Sequence, residues 1–222
     1  MKKKLIFIEL LIIFSYFIIP PMLKSPSSTL STTLQFSIFM LFYVAIAIIL
    51  TVQFFLSKPP LHKPIFKLLL ASIFTIILLF ATASSIIVLT SLLGEKSIPQ
   101  KITISFPTTF FDFLNLLLAI FSAAFYEEAI YRVFLPFALI TLLSKDNTIN
   151  KHYHIAIEVF SILCFALGHR YLGLAAVINA VICGTILRFC FLYTQNPLYS
   201  TISHSIYNVL AVILSSLFVK IS

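Results

Sequence analysis

Long, uninterrupted apolar runs constrain the fold of this sequence more than any other feature. Several exceed the roughly 18 apolar residues that mark a membrane-spanning helix. The chain is 60% hydrophobic and 10% charged, whereas soluble domains contain about a quarter charged residues. Only helices or closed barrels satisfy the backbone inside lipid, and these runs lack the alternation of barrel strands. The sequence therefore predicts an all-α fold, a polytopic transmembrane helical bundle.

About seven spans are predicted. The N-terminal stretch MKKKLIFIELLIIFSYFIIPP has the length of a signal peptide, but no small-residue cleavage site follows it, so a retained first helix is expected. The other spans are predicted near residues 33–57, 68–93, 106–143, 155–169, 172–194 and 198–219. The 106–143 run is about twice as long as the hydrocarbon core is thick, and Pro136 predicts a kink in it. We divide the chain into three N-terminal helices (1–105) and a helical core (106–222).

The formal net charge of +8 invites a nucleic-acid interpretation, but the lysines are scattered at the ends of apolar runs and form no stripe. Membrane orientation explains them better, because more loop lysines fall inside when the N-terminus is cytoplasmic. We expect an integral protein of the plasma (inner) membrane that has the lipid bilayer, and no nucleic acid, as a partner. Cys164, Cys183 and Cys190 are interpreted as small buried hydrophobic residues.

The stretch EEAIYR places three ionisable residues at membrane depth, where each costs on the order of 3 kcal/mol or more and therefore indicates function. Glu128 and Arg132 are four residues apart, so they can pair on one helical face. Glu127 points about 100° away, which leaves its carboxylate free for acid–base chemistry. A purely structural ion-pair cluster between helices remains an alternative.

Two further motifs lie on later predicted helices. In FALGH, Phe165 and His169 are four residues apart, although a lone His in an apolar helix is more often a buried, hydrogen-bonded side chain. In HSIYN, His204 and Asn208 share a face and could hold an oxyanion, and the His could also bind a metal. Each of these two motifs is weak by itself.

In this order, the three motifs EExxxR, FxxxH and HxxxN resemble the CPBP family of intramembrane proteases, also called the CAAX protease or Abi family. The resemblance covers about residues 112–219. The polar loop after the first motif and the Asn-Pro turn before the last helix are also similar to the family. Val133 is a departure, because the family usually has glycine directly after the arginine.

The resemblance implies an endopeptidase that cleaves a peptide or protein substrate in the membrane. Glu127 and His169 would activate a water, with Glu127 as the general base. His204 and Asn208 would stabilise the oxyanion of the tetrahedral intermediate.

The resemblance also implies supporting residues and leaves the cofactor open. Glu128 and Arg132 would pair and hold their helix in register, and Phe165 would fix the rotamer of His169. Family members are described both as metal-free glutamate proteases and as metalloproteases. The enzyme would need either no cofactor or a divalent metal such as Zn²⁺, whose ligands would be Glu127, His169 and His204. The absence of an HExxH motif favours metal-free catalysis.

Other charged residues have weaker interpretations. Glu158 lies three helical turns before His169. It either lines the cytoplasmic mouth of a cavity, with Arg188 as its partner, or forms a plain interhelical pair. Glu9 and Asp112 are expected to make helix contacts.

Two other classes of function compete with the protease. One is a catalytically silent scaffold or bacteriocin-immunity-type protein, which has no need for Glu127 beside the paired Glu128. The other is a proton-coupled transporter, which often contains repeated halves that are not found in this sequence.

Overall fold

The computed structural model describes residues 2–24, 37–57, 63–92, 109–145 and 148–219. Within these ranges the chain is helical, and its only extended pairing is an isolated bridge between Lys145 and Thr148. The predicted all-α bundle is therefore confirmed.

Nine α-helices follow one another along the described ranges, with two π-helical segments and a 3₁₀ turn between them. They are α1 (Lys2–Ile13), a π-helix (Phe14–Ile18), α2 (Ile19–Leu23), α3 (Ile38–Ser57), α4 (Ile65–Leu92), α5 (Phe110–Glu127), a π-helix (Glu128–Phe134), α6 (Leu135–Leu143), α7 (Lys151–Leu167), a 3₁₀ turn (Arg170–Leu172), α8 (Leu174–Thr194) and α9 (Pro197–Val219). The predicted starts at residues 33 and 106 and the predicted end at residue 93 lie outside the described residues.

Five stretches of the described chain are long and apolar enough to cross a membrane, compared with about seven predicted. They are Lys3–Leu23, Ile38–Ser57, Ile65–Leu89, Phe110–Leu143 and Leu174–Thr194. The stretch predicted at 155–169 is α7, whose 17 residues reach about 25 Å, less than the roughly 30 Å of a hydrocarbon core. The last predicted span is α9, which begins with a polar half.

The fourth span changes its helical geometry in the middle. Its π-helix covers Glu128–Phe134, and all seven residues of this segment are buried. A π-helix widens the turn and bends a helix, and this one ends at Phe134, two residues before Pro136. Pro136 has no N–H to offer the carbonyl of Arg132. That carbonyl accepts a hydrogen bond from Arg188 Nη1 of α8 instead.

The N-terminal helices pack directly on the second half of the chain. The largest buried cluster joins the first span to the π-helix and to α7, through Ile13, Ile18, Tyr131 and Phe165 among others. At the start of the first span, Lys3 Nζ donates to the carbonyl of Ser144 at 2.7 Å. The N-terminus and the end of α6 therefore lie at the same face of the bundle. The division at residue 105 remains a prediction.

Local contacts account for the remaining acids and thiols. Glu9 accepts a hydrogen bond from Gln53 Nε2 at 2.9 Å, so it joins α1 to α3. Asp112 and Thr109 cap the start of α5 reciprocally, as in a capping box. The three cysteines are buried and unpaired: Cys164, Cys183 and Cys190.

Candidate active site

A buried ion pair forms the base of the site. Glu128 is fully buried, and its Oε1 lies 3.5 Å from Arg132 Nη1. The same oxygen lies 3.1 Å from His204 Nδ1 on α9. Because a carboxylate only accepts hydrogen bonds, Nδ1 of His204 carries a proton. The Arg132 guanidinium carbon lies 3.8 Å from the centre of the Phe165 ring, in a cation–π contact.

Glu127 points to a different environment from its neighbour Glu128. Its side chain is 28% exposed, and its Oε2 lies 3.7 Å from His204 Nε2. The two adjacent carboxylates are thus separated by helix geometry, as the sequence predicts. His204 lies between them, with one ring nitrogen towards each, which the sequence does not indicate.

Phe165 connects the three motifs through its ring. The ring makes edge contacts with His169 at 4.7 Å, Tyr131 at 5.5 Å and His204 at 6.1 Å between centroids. On its other side lies Gly184, where an added Cβ would stand 3.0 Å from Phe165 Cδ1. The ring is therefore enclosed, and its position determines where both histidines can lie.

His169 follows the end of α7 rather than lying within the helix. α7 ends at Leu167, and Gly168 occupies the C-cap. The ring of His169 turns back along the helix, and its Nδ1 lies 3.0 Å from the carbonyl of Phe165. A carbonyl only accepts, so Nδ1 carries the proton, and Nε2 of the neutral ring presents a lone pair.

A cavity of about 660 Å³ brings Glu127 and His169 together. Tyr126, Tyr131, Phe165, Gly168 and Tyr171 form its wall on the side of the motifs. The opposite wall comes from the N-terminal helices, to which the sequence assigns no role: Tyr16, Phe17, Pro20, Pro21, Leu23, Lys24 and Tyr43. The cavity therefore lies where the first span ends, at the face opposite Lys3.

Two of the four predicted catalytic residues do not line this cavity. His204 is buried behind Glu127 and contacts carboxylates. Asn208 lies one turn further along α9, is half-buried, and forms no side-chain hydrogen bond within the described part of the chain. The structure thus brings Glu127, His169 and His204 close together but leaves Asn208 apart.

The predicted metal ligands are not gathered around one point in this arrangement. Among the described residues, no three His, Cys, Asp or Glu side chains are grouped so that they could hold an ion. A zinc site needs three such donors directed at one point. Nδ1 of His204 is directed at Glu128 and Nδ1 of His169 at a carbonyl, which leaves both Nε2 atoms available, as in histidines that bind a metal. The metal-ligand set therefore remains a prediction.

Glu158 has the predicted partner but not the predicted place. Its carboxylate receives two hydrogen bonds from Arg188, from Nε at 2.6 Å and from Nη2 at 2.5 Å. Glu158 does not line the cavity. Since Arg188 also donates to the carbonyl of Arg132, the pair braces the first motif from behind.

Several residues that line the cavity are not among the predicted site residues. Tyr131 is four residues after Glu127, a spacing that could have indicated a shared face. Tyr171 follows His169, and the Nζ of Lys24 lies 4.8 Å from the centre of its ring. Burial raises the pKa of Tyr171, and the charge of Glu127 raises it further. Only the tertiary fold shows that Lys24 belongs to this site.

The fold and the site together define an integral membrane protein with a cavity inside a helical bundle, lined by aromatic side chains, a glutamate and a histidine. A family model described as Type II CAAX prenyl endopeptidase Rce1-like matches residues 109–210. The match contains all three motifs and confirms the resemblance of this part of the chain to the CAAX protease (CPBP) family. A match to this family indicates an intramembrane endopeptidase. Comparison with curated proteins and with solved structures finds no match.

Proposed function

We propose that this protein hydrolyses a peptide bond of a membrane-associated or lipidated peptide with a water that Glu127 and His169 activate. The observation that most favours this function is the single cavity lined by both side chains. A silent scaffold has no need for such a cavity beside a paired Glu128. The plasma (inner) membrane, with the N-terminus in the cytoplasm, is the proposed location.

The chemistry follows from the tautomer of His169. Its Nε2 lone pair accepts a hydrogen bond from the water, while the carboxylate of Glu127 takes one proton from it. The water oxygen then attacks the carbonyl carbon of the substrate and forms a tetrahedral intermediate. When the C–N bond breaks, Glu127 returns the proton to the departing nitrogen, and its carboxylate is regenerated.

The residues behind the cavity hold Glu127 in place for this step. His204 lies between the two carboxylates and limits the directions that Glu127 can adopt. The negative charge of Glu128 is balanced by Arg132 and by the proton on His204 Nδ1. Precise positioning of this kind supports rate, because misplacement by about 1 Å can cost 10²-fold. The oxyanion role of His204 and Asn208 remains a prediction of the resemblance.

Substrate class is proposed from the walls of the cavity and from the family description. Tyrosine and phenylalanine side chains make up half of the residues that line the cavity, which suits apolar groups next to the scissile bond. The matching family is described as a prenyl endopeptidase, and a prenylated peptide is one substrate that such a wall would accept.

Cleavage of a peptide library in liposomes tests the proposed function. The parent protein is compared with the Glu127→Gln and His169→Ala variants, and products are identified by mass spectrometry. Each variant should lose at least 10²-fold in rate, in the range expected for a positioned acid–base group. His154→Ala, on the half-exposed start of α7, serves as the control. Cleavage at the parental rate by either folded variant would refute the proposal.

A further inference from the structure

Tyr131 lines the cavity that holds Glu127 and His169. The residue is only 6% exposed, and its hydroxyl makes no hydrogen bond to another described residue. The Tyr131 oxygen is not fully enclosed by protein, since it is not one of the enclosed polar atoms that lack a partner in the described chain. The oxygen is therefore in contact with the cavity space, and its proton is available to a molecule bound there.

The ring of Tyr131 is held firmly. It packs edge-on against Phe165, with centroids 5.5 Å apart. Its hydroxyl oxygen lies near Gly168, where an added Cβ would stand 3.7 Å from it. Because Tyr131 follows Glu127 by four residues, the two side chains project from the same side of their helix. A donor with a fixed position costs little reorganisation when charge develops beside it.

Peptide hydrolysis through a tetrahedral intermediate needs such a donor, because the carbonyl oxygen becomes an anion. The donors that the family resemblance implies, His204 and Asn208, do not line the cavity. We propose that the Tyr131 hydroxyl donates a hydrogen bond to this oxyanion and is a catalytic residue of the enzyme. The inference rests on the proposed function, since it assigns an additional residue to the same reaction.

The Tyr131→Phe variant tests the inference, because it removes one oxygen and leaves the ring against Phe165. We expect kcat to fall about 10²-fold, as for other single oxyanion donors, while KM stays within about threefold because the substrate is bound as before. Tyr153→Phe is the matched control, since Tyr153 is 61% exposed on α7 and does not line the cavity. Its kcat should change by less than about threefold if only the Tyr131 hydroxyl meets the oxyanion.

Binding of a phosphinate peptide gives a second readout, because its tetrahedral anion imitates the intermediate. Tyr131→Phe should bind the phosphinate about 10²-fold more weakly than the parent does, with unchanged affinity for the matching amide. Equal phosphinate affinity of parent and variant would overturn the inference, even if the parent cleaved no peptide tested.

The kinetic outcomes separate the two proposals. An active parent, an inactive Glu127→Gln variant and a fully active Tyr131→Phe variant would overturn only the role of Tyr131. A Glu127→Gln variant that cleaves like the parent would overturn the proposed function itself.

Discussion

The brace formed by Glu158, Arg188 and the Arg132 carbonyl offers a quantitative test of how the first motif is held. Arg188 links the other two groups, since it donates to Glu158 on α7 and to the Arg132 carbonyl in the π-helix. Replacing it with methionine keeps most of its apolar stem but removes all three hydrogen bonds. Glu158 would then be left mostly buried without its cation, and the Arg132 carbonyl would lose a donor that Pro136 cannot replace.

The magnitude follows from the burial of the pair. The Arg188 side chain is 9% exposed and that of Glu158 is 16% exposed, so solvent screens the remaining charge only weakly. Breaking one partner of a buried pair costs about 3–5 kcal/mol of the free energy of unfolding. The Glu158→Leu, Arg188→Met double variant removes both charges and leaves only the carbonyl unsatisfied, at about 1–3 kcal/mol. The double variant should therefore be more stable than the sum of the two single changes predicts, by about 2 kcal/mol or more.

Reversible unfolding in mixed detergent micelles, followed by circular dichroism, measures these values. His154→Ala is the matched control, because its ring is 45% exposed and lies 4.0 Å from Glu158. It should change stability by less than about 0.5 kcal/mol. Strict additivity of the two single variants, or an Arg188→Met variant as stable as the parent, would refute the brace.

Three further predictions concern the ring, the topology and the cofactor. Gly184→Ala should push Phe165 by a few tenths of an ångström, destabilise the fold by about 1–3 kcal/mol and lower kcat about tenfold or more; an unchanged kcat in the peptide assay would contradict this. Lys24→Cys and Lys3→Cys should react with an impermeant maleimide from opposite faces of the membrane, Lys24→Cys from the outside and Lys3→Cys from the cytoplasmic side. Labelling of both variants from the same face would contradict the proposed orientation. A chelator should leave cleavage unchanged, whereas loss that Zn²⁺ restores would assign the chemistry to a metal.

Much of the fold could be predicted because membrane helices are specified by long apolar runs. The π-helix could not be predicted, since no residue type in its sequence EAIYRVF specifies a wider turn, and that turn depends on neighbouring helices. Pro136 signalled a break in the right region, but the replacement donor Arg188 lies on α8, more than fifty residues away. The position of the short helix α7 was predicted, although its start at Lys151 lies four residues before the predicted start at residue 155.

The candidate site was predictable where the chemistry is local. Spacing of four residues indicated the pair of Glu128 with Arg132 and the contact of Phe165 with His169. The position of His204 between two carboxylates depends on how α9 meets the π-helix, which no local pattern encodes. The same holds for the cavity wall of the first span and for Lys24, whose part in the site appears only when distant helices pack together.

The central claim is that the adjacent carboxylates have different roles, Glu127 in the chemistry and Glu128 in the structure. One comparison of variants tests it directly. Glu127→Gln should lower kcat by at least 10²-fold and leave the free energy of unfolding within about 0.5 kcal/mol of the parent, because Glu127 is partly exposed and its neutral isostere fits the same space. Glu128→Gln should instead cost about 3 kcal/mol of stability, because it leaves Arg132 buried without its charge partner. An active Glu127→Gln variant, or one as destabilised as Glu128→Gln, would contradict the assignment of chemistry to Glu127 and of structure to Glu128.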